Sequence, residues 1–319
     1  MKIILDCDPG HDDALAILLA ARHLDVMGIT TVHGNQTLEK VTANALKVLE
    51  FSGLTAIPVR KGCDRPLAQP ARHAPEIHGQ SGLDGPTLPD PATQPQPEHA
   101  VEWIIETVMK TDGITLVATG PLTNVGLALR REPRLAGRLT QISLMGGSLT
   151  LGNATPAAEF NILCDPEAAH IVFTSGVPIK MVGLNLTHQA EAGAAEIGRI
   201  RDRGNRTGHI VVELLDFFTR QLRTLFGLEG AHLHDPCAVA WLIDPTLIDA
   251  RPLHVGVELR GEQTRGMTVC DYRHLRASVT GMTGMEGIRR GQPPNAEVGL
   301  RLDAPRFFDL LIGTLAQYP

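Results

Sequence analysis

Residues 3–22 read IILDCDPGHDDALAILLAAR, and this stretch decides the fold. Ile3-Ile4-Leu5 is a short apolar run suited to a buried strand. Pro9-Gly10 marks a tight turn. Beyond it, over 12–22, Ala14, Leu15, Leu18 and Leu19 recur at helical spacing. A strand, a sharp turn and a helix in that order open a βαβ unit.

The pattern continues outward. The spacing predicts strands at 26–32, 57–59, 114–118, 142–145 and 179–182. Between them it predicts helices at 38–51, 98–110, 122–130 (stopped before Pro133) and 166–175. A longer helix at 207–225 has Val211, Leu214, Leu215, Phe218 and Leu222 on its apolar side. Strands at 253–259 and 298–302 and a helix at 306–316 complete the chain. This alternation predicts an α/β fold with a mostly parallel central sheet and helices on both faces. No linker separates two cores, so one domain over 1–319 is expected. The segment 62–97 holds eight prolines and little periodicity, which reads as a surface loop or a lid.

Composition narrows the function. The 319 residues carry 29 Lys plus Arg against 35 Asp plus Glu, a formal charge of −6. A nucleic-acid binder usually has a basic excess. Aromatic residues make up 4%, too few for a base-stacking platform. No apolar run approaches the ~18 residues of a membrane span. The apolar run before Asp6 is too short for a secretory signal core. Five cysteines without a CxxC pair suit a reducing compartment, so a cytoplasmic protein is expected, with neither nucleic acid nor membrane as partner.

The acids then stand out. Asp6, Asp8, Asp12 and Asp13 fall within eight residues, past the end of the first strand. In open α/β sheets ligands bind outside the carboxyl ends of strands. Helix capping uses one such acid, or two. Four in one turn repel one another, and a cation removes the repulsion. Carboxylate oxygens without cysteine or paired histidine suit Ca²⁺ or Mg²⁺ rather than Zn²⁺. Other oxygens should converge from later strands. The turn VATGPLTN at 117–124 frees a carbonyl near Thr119, and HLHDP at 232–236 offers Asp235. The run GNATPAAEFN at 152–161 adds Asn153, Glu159 and Asn161, directional groups for sugar hydroxyls. No GxGxxG follows the first strand and no GxxxxGK[ST] occurs, so a nucleotide phosphate cradle is not supported.

Taken together, DCDPGHDDA at 6–14, HGN at 33–35, GPLTN at 120–124, LMGG at 144–147, GNATPAAEFN at 152–161, CDPEAA at 164–169 and HDP at 234–236 resemble the nucleoside hydrolases, the inosine–uridine preferring ribohydrolases. The motifs run in the family's order and cover nearly the whole chain. The resemblance implies a single Rossmann-like α/β domain with one calcium ion (Ca²⁺) per subunit at the sheet's carboxyl edge. It implies hydrolysis of a ribonucleoside's N-glycosidic bond to free base and ribose. By the family pattern Asp8, Asp13, Asp235 and the Thr119 carbonyl are the calcium ligands, with a water and ribose hydroxyls beside them. Asp8 is also the general base. Asp12, Asn153, Glu159 and Asn161 match positions that grip ribose, and Asn35 lies near the water. His234 and His78 match catalytic or base-contacting positions. Most members are homodimers or homotetramers.

Base preference is expected from 219–233. Pyrimidine-selective relatives tend to carry Tyr and Gln there, whereas this chain has Leu222 and Phe226, with Gln221, Arg223 and His232 nearby as substitutes. Overall similarity favours uridine or cytidine, with inosine close behind. Two other readings compete. A haloacid-dehalogenase-type phosphatase would use Asp6 as nucleophile and Asp8 as acid, but Gly10 stands where Thr or Val is usual. A calcium-dependent nucleoside or ribose binder would share the ligands without the reaction.

Overall fold

The computed structural model describes residues 1–273 and 292–319, and its strand order is set by backbone pairing. The strands are β1 (Lys2–Cys7), β2 (Asp25–Thr31), β3 (Val59–Lys61), β4 (Ile114–Ala118), β5 (Gln141–Met145), β6 (Ile179–Val182), β7 (Glu191–Ala192), β8 (Ala231–His232), β9 (Ile248–Val257), β10 (Thr268–Asp271) and β11 (Ala296–Leu302). Nine of them form one sheet in the order β10-β9-β11-β6-β5-β4-β1-β2-β3, and β7 pairs with β8 separately.

Strand β1 lies inside the sheet, parallel to both β2 and β4. Ile3, Ile4 and Leu5 are all buried, as expected for a strand covered on two faces. The alternation of side chains still sorts them. Ile3, Leu5 and Cys7 join the core on one face with Leu15, Leu18 and Phe218, while Ile4 joins the other with Ile104, Leu116 and Val125. The chain is thus a single α/β domain with a large, mostly parallel sheet flanked by helices. The exceptions to parallel pairing are β9 with β10 and β9 with β11. Among the described residues, no helix is long and apolar enough to cross a membrane.

Several boundaries differ from expectation for physical reasons. The strand expected at 57–59 begins only at Val59. Pro58 has no N–H to give a ladder, although its carbonyl accepts from Ile29 N–H at 2.9 Å. The strand expected at 253–259 starts at Ile248 and ends at Val257. Strand β10 was not expected, being four residues long and half exposed. The long helix is Arg206–Phe226, capped where the Asn205 side chain accepts from Gly208 N–H at 3.0 Å. It ends at Gly227, whose φ of +71° lies in the left-handed region that favours glycine.

The Pro-rich segment 62–97 is pinned along its length. It contains the one-turn helix Pro75–His78. Leu67 N–H donates to Asp165 Oδ2 at 2.9 Å, Ala74 N–H to the Asn35 carbonyl at 3.1 Å, and Gln36 Nε2 to the Gly79 carbonyl at 2.9 Å. It therefore wraps the carboxyl edge of the sheet, where β1, β4 and β5 end and the functional turns gather.

Candidate active site

Asp8 is the first residue past β1, and two backbones close on it. The Asn35 N–H donates to its Oδ2 at 2.6 Å, while its Oδ1 is buried with no partner. A Cβ at Gly34 would overlap Asp8 Oδ2, and one at Gly120 would lie 2.6 Å from Oδ1. The HGN and GPLTN turns thus need glycine to clasp this carboxylate. Gly34→Ala is expected to keep the fold, displace Asp8 and cost at least ~10-fold in turnover, since errors of about 1 Å in placing reactive groups cost up to 10². Circular dichroism with steady-state kinetics checks this, and unaltered turnover would refute it.

Asp12 and Asp13 open the helix His11–His23. Asp13 accepts from Gly10 N–H at 3.0 Å, Thr119 Oγ1 at 2.9 Å and Asn35 Nδ2 at 3.2 Å. Its capping bond to Gly10 is thus one of three. Asp12 Oδ2 accepts from the backbone N–H groups of His234 and Asp235 at 3.2 and 3.4 Å. That contact docks the HDP turn onto the first helix. Asp12, Asp13 and Asp235 each bring a carboxylate oxygen within 4.8 Å of the others, all three buried.

The electrostatics are those of acids removed from water without counter-charge. Burial raises Asp12 to about 7, with Asp13 adding to the shift. Asp8 is raised well above the usual carboxylate range by burial and then by Asp13. Asp235 is raised in the same way, by burial and then by Asp12. Such a cluster is costly unless neutralised. A divalent cation fits it: the donors are hard oxygens, and Asp8 Oδ1 is an orphaned, buried acceptor.

One cavity of about 680 Å³ lies over these acids. Asp12, Asp235, Thr119 and Asn161 line it, whereas Asp8 and Asp13 lie deeper, beneath its floor. Asn161 Nδ2 donates to the Thr119 carbonyl at 2.7 Å. Glu159 caps the helix Phe160–Cys164, its carboxylate accepting from the N–H groups of Asn161, Ile162 and Gly147 at 2.8, 3.0 and 2.9 Å. Asn153 is exposed at the rim, its Oδ1 accepting from Phe160 N–H at 2.9 Å. Asn35 also borders the cavity.

The opposite wall is apolar and imidazole-rich. His78, Phe218, Leu222 and His234 line it, and Phe226 sits at the mouth with 58% of its surface exposed. Thr187 Oγ1 and His234 Nδ1 are 2.7 Å apart. The suggested substitutes divide. Gln221 donates to the Glu76 carbonyl at 3.3 Å and Arg223 to Glu229 at 2.9 Å, and neither lines the cavity. His232 does, stacked on His188 with centroids 4.6 Å apart. His188 was missed because a lone histidine between two elements carries no local signal.

The chain is similar to known proteins along its length. The family described as inosine-uridine preferring nucleoside hydrolase matches residues 3–309. A "Pyrimidine-specific ribonucleoside hydrolase RihA" of Shewanella sp. (strain MR-7) is 47% identical over 320 residues, covering 99% of this chain and 96% of that protein. A protein of the same name from Escherichia coli O9:H4 (strain HS) is 47% identical over 322 residues, covering 100% and 99%. The solved structure of a "Purine-Preferring Ribonucleoside Hydrolase from Gardnerella vaginalis" superposes with a TM-score of 0.89 at 32% identity, covering 99% of this chain and 98% of that one. A buried acidic floor beneath a half-polar, half-apolar cavity is thus carried on a shared fold along the full chain, which belongs to the inosine-uridine preferring nucleoside hydrolase family and is a ribonucleoside hydrolase, an N-glycosidase.

Proposed function

We propose that this enzyme acts on pyrimidine ribonucleosides, uridine and cytidine first and inosine next, with one Ca²⁺ per subunit. Relatives named pyrimidine-specific at 47% identity support the base preference. The single observation carrying the metal reading is the buried acidic cluster with its orphaned Asp8 oxygen.

Asp8, Asp13, Asp235 and the Thr119 carbonyl would hold the ion. Asp12 belongs to the cluster by distance, but its Oδ2 is engaged by two backbone amides and its side chain lines the cavity. Its role is therefore to grip ribose. When bound, the cation supplies Lewis acidity that makes water a better nucleophile. Asp8 is the general base, its carboxylate held in place by the Asn35 amide at Oδ2. Asn153, Glu159 and Asn161 orient the ribose, in contacts that strengthen as the sugar approaches its oxocarbenium-like state. His234 and His78 contact the base, with Phe226 over it. The wrapped segment 62–97 covers the substrate as a lid, within one domain over 1–319. The five free cysteines suit a cytoplasmic setting, and the resemblance implies a homodimer or homotetramer.

Steady-state kinetics on uridine, cytidine, inosine and adenosine, with and without chelator, test this. The expected order is uridine and cytidine above inosine, with activity lost to chelator and restored by Ca²⁺. A preference for adenosine would overturn the base assignment. Water attacking C1′ opposite the base inverts the anomeric centre, so α-ribose is the expected first product by NMR. β-Ribose would reject direct attack.

A further inference from the structure

Strand β10 lies at one edge of the sheet, paired only with β9. Its first residue, Thr268, is buried, and the hydroxyl makes two bonds to a single residue. Thr268 Oγ1 accepts from Ser148 N–H at 2.8 Å and donates to the Ser148 carbonyl at 2.7 Å. The Gly147–Ser148 peptide is held on its other side too, where the Gly147 carbonyl accepts from Leu184 N–H at 2.9 Å. Both polar groups of that peptide are therefore engaged, which fixes its plane. Gly147 has a φ of +71°, and a Cβ there would lie 2.6 Å from the Thr268 methyl, so glycine is needed for this approach.

A fixed peptide at 147–148 holds the Gly147 N–H in place as well, and that N–H donates to Glu159 Oε2 at 2.9 Å. The other N–H groups on this carboxylate, from Asn161 and Ile162, belong to the helix that Glu159 caps. They move with the glutamate. Gly147 is anchored at the end of β5, so it is the contact that sets Glu159 relative to the sheet.

The loop before β10 holds the far end of the same helix. Gly266 packs on Leu163, where a Cβ would lie 2.9 Å from the Leu163 Cα. Arg265 donates to both carboxylate oxygens of Glu167, at 2.7 and 2.9 Å, and to Gln69 Oε1 at 3.2 Å. Gln69 Nε2 in turn donates to the Leu163 and Cys164 carbonyls at 2.6 and 2.7 Å. These are end-of-helix carbonyls that no helical N–H reaches. One late stretch of chain, 265–268, thus grips both ends of the helix Phe160–Cys164.

We infer that Thr268 is a positioning residue for the sugar: through Ser148 and Gly147 it aims the Glu159 carboxylate at ribose, while Arg265 and Gln69 steady the other end of the Glu159 helix. The antiparallel edge of the sheet is then a brace for the substrate site as well as cover for the core. This assignment rests on the ribose-gripping role of Glu159 in the hydrolase reading.

The test separates aim at the sugar from general damage. Thr268→Val keeps the side-chain shape and removes both bonds to Ser148, whereas Thr268→Ser keeps the hydroxyl. With Ca²⁺ present, Thr268→Val is expected to lower kcat/KM for uridine by about ten-fold, the upper range for one neutral hydrogen bond. The inhibition constant of ribose should rise by a similar factor. That of uracil should change less than about two-fold, as should every constant of Thr268→Ser. In a Glu159→Gln background the Thr268→Val change should cost less than about two-fold, because residues that act through one another are not additive. Arg265→Gln should show the same ribose-selective loss, and it carries the comparison if Thr268→Val does not fold. Equal weakening of ribose and uracil, unaltered ribose inhibition, or a loss undiminished in the Glu159→Gln background would overturn the inference. A parent protein that cleaves no nucleoside would refute the hydrolase reading instead, and calorimetric titration of ribose into parent and variants would still decide the brace.

Discussion

Asp8→Asn is expected to bind nucleoside yet turn it over at least ~10²-fold more slowly, because a positioned general base contributes about 10²–10⁴. Asparagine is nearly isosteric, so the clasp of Gly34 and Gly120 is kept and the Asn35 N–H can still donate to a side-chain oxygen. What disappears is the carboxylate that accepts the proton. The substitution also removes one of four mutually repelling charges, so the metal-stripped variant should melt at a higher temperature than the metal-stripped parent. Loss of turnover with gain of stability distinguishes removal of a base from damage to the fold. Undiminished kcat would remove Asp8 from the reaction.

Stripping the metal is expected to abolish turnover and to leave a protein whose stability falls as pH rises from about 6.5 to 8. The sign follows from the direction of the shifts. Asp12 and Asp6 are each raised from 3.8 to about 7 by burial. Between those values the native state holds protons that the unfolded chain has already released. These acids therefore lower stability as pH rises. The buried His11, His33 and His232, lowered from 6.5 to about 4, raise it below 6.5, so the net decline is read above 6.5, where the histidines no longer contribute. A cation needs the ionised acids, so Ca²⁺ should raise the melting temperature more at pH 8 than at pH 5. At a hundred times its dissociation constant it adds about 2.7 kcal/mol, or several degrees for a protein of this size. Exposed acids held low by arginine, such as Glu132 beside Arg134, oppose this trend only weakly. Melting curves of the chelated protein that are flat or rising between pH 6.5 and 8 would refute the account.

Much of this architecture was legible in the sequence, because parallel strands buried on both faces leave unbroken apolar runs. The strands at 114–118 and 179–182 and the helix at 38–51 match their expected bounds. The β9–β10–β11 edge was less legible. Pro252 interrupts one strand, another has four residues, and antiparallel pairing at a sheet's rim needs no continuous apolar signal. The acids were visible as a local excess of charge. Their division was not, because it depends on which oxygen each backbone amide reaches: Asp12 stands with Asp13 and Asp235, while Asp8 is clasped beneath. The contact of His11 with His78 spans 67 residues and exists only once segment 62–97 has wrapped the edge. No periodicity records such a meeting.

The docking of the HDP turn on Asp12 joins residues 222 positions apart. During synthesis, Asp8, Asp12 and Asp13 emerge long before Asp235 and wait as ordinary hydrated carboxylates. Their repulsion becomes complete only when the late segment adds Asp235 to them. The share of the electrostatic penalty that Asp235 brings thus falls on the chain only after its first 234 residues have been made.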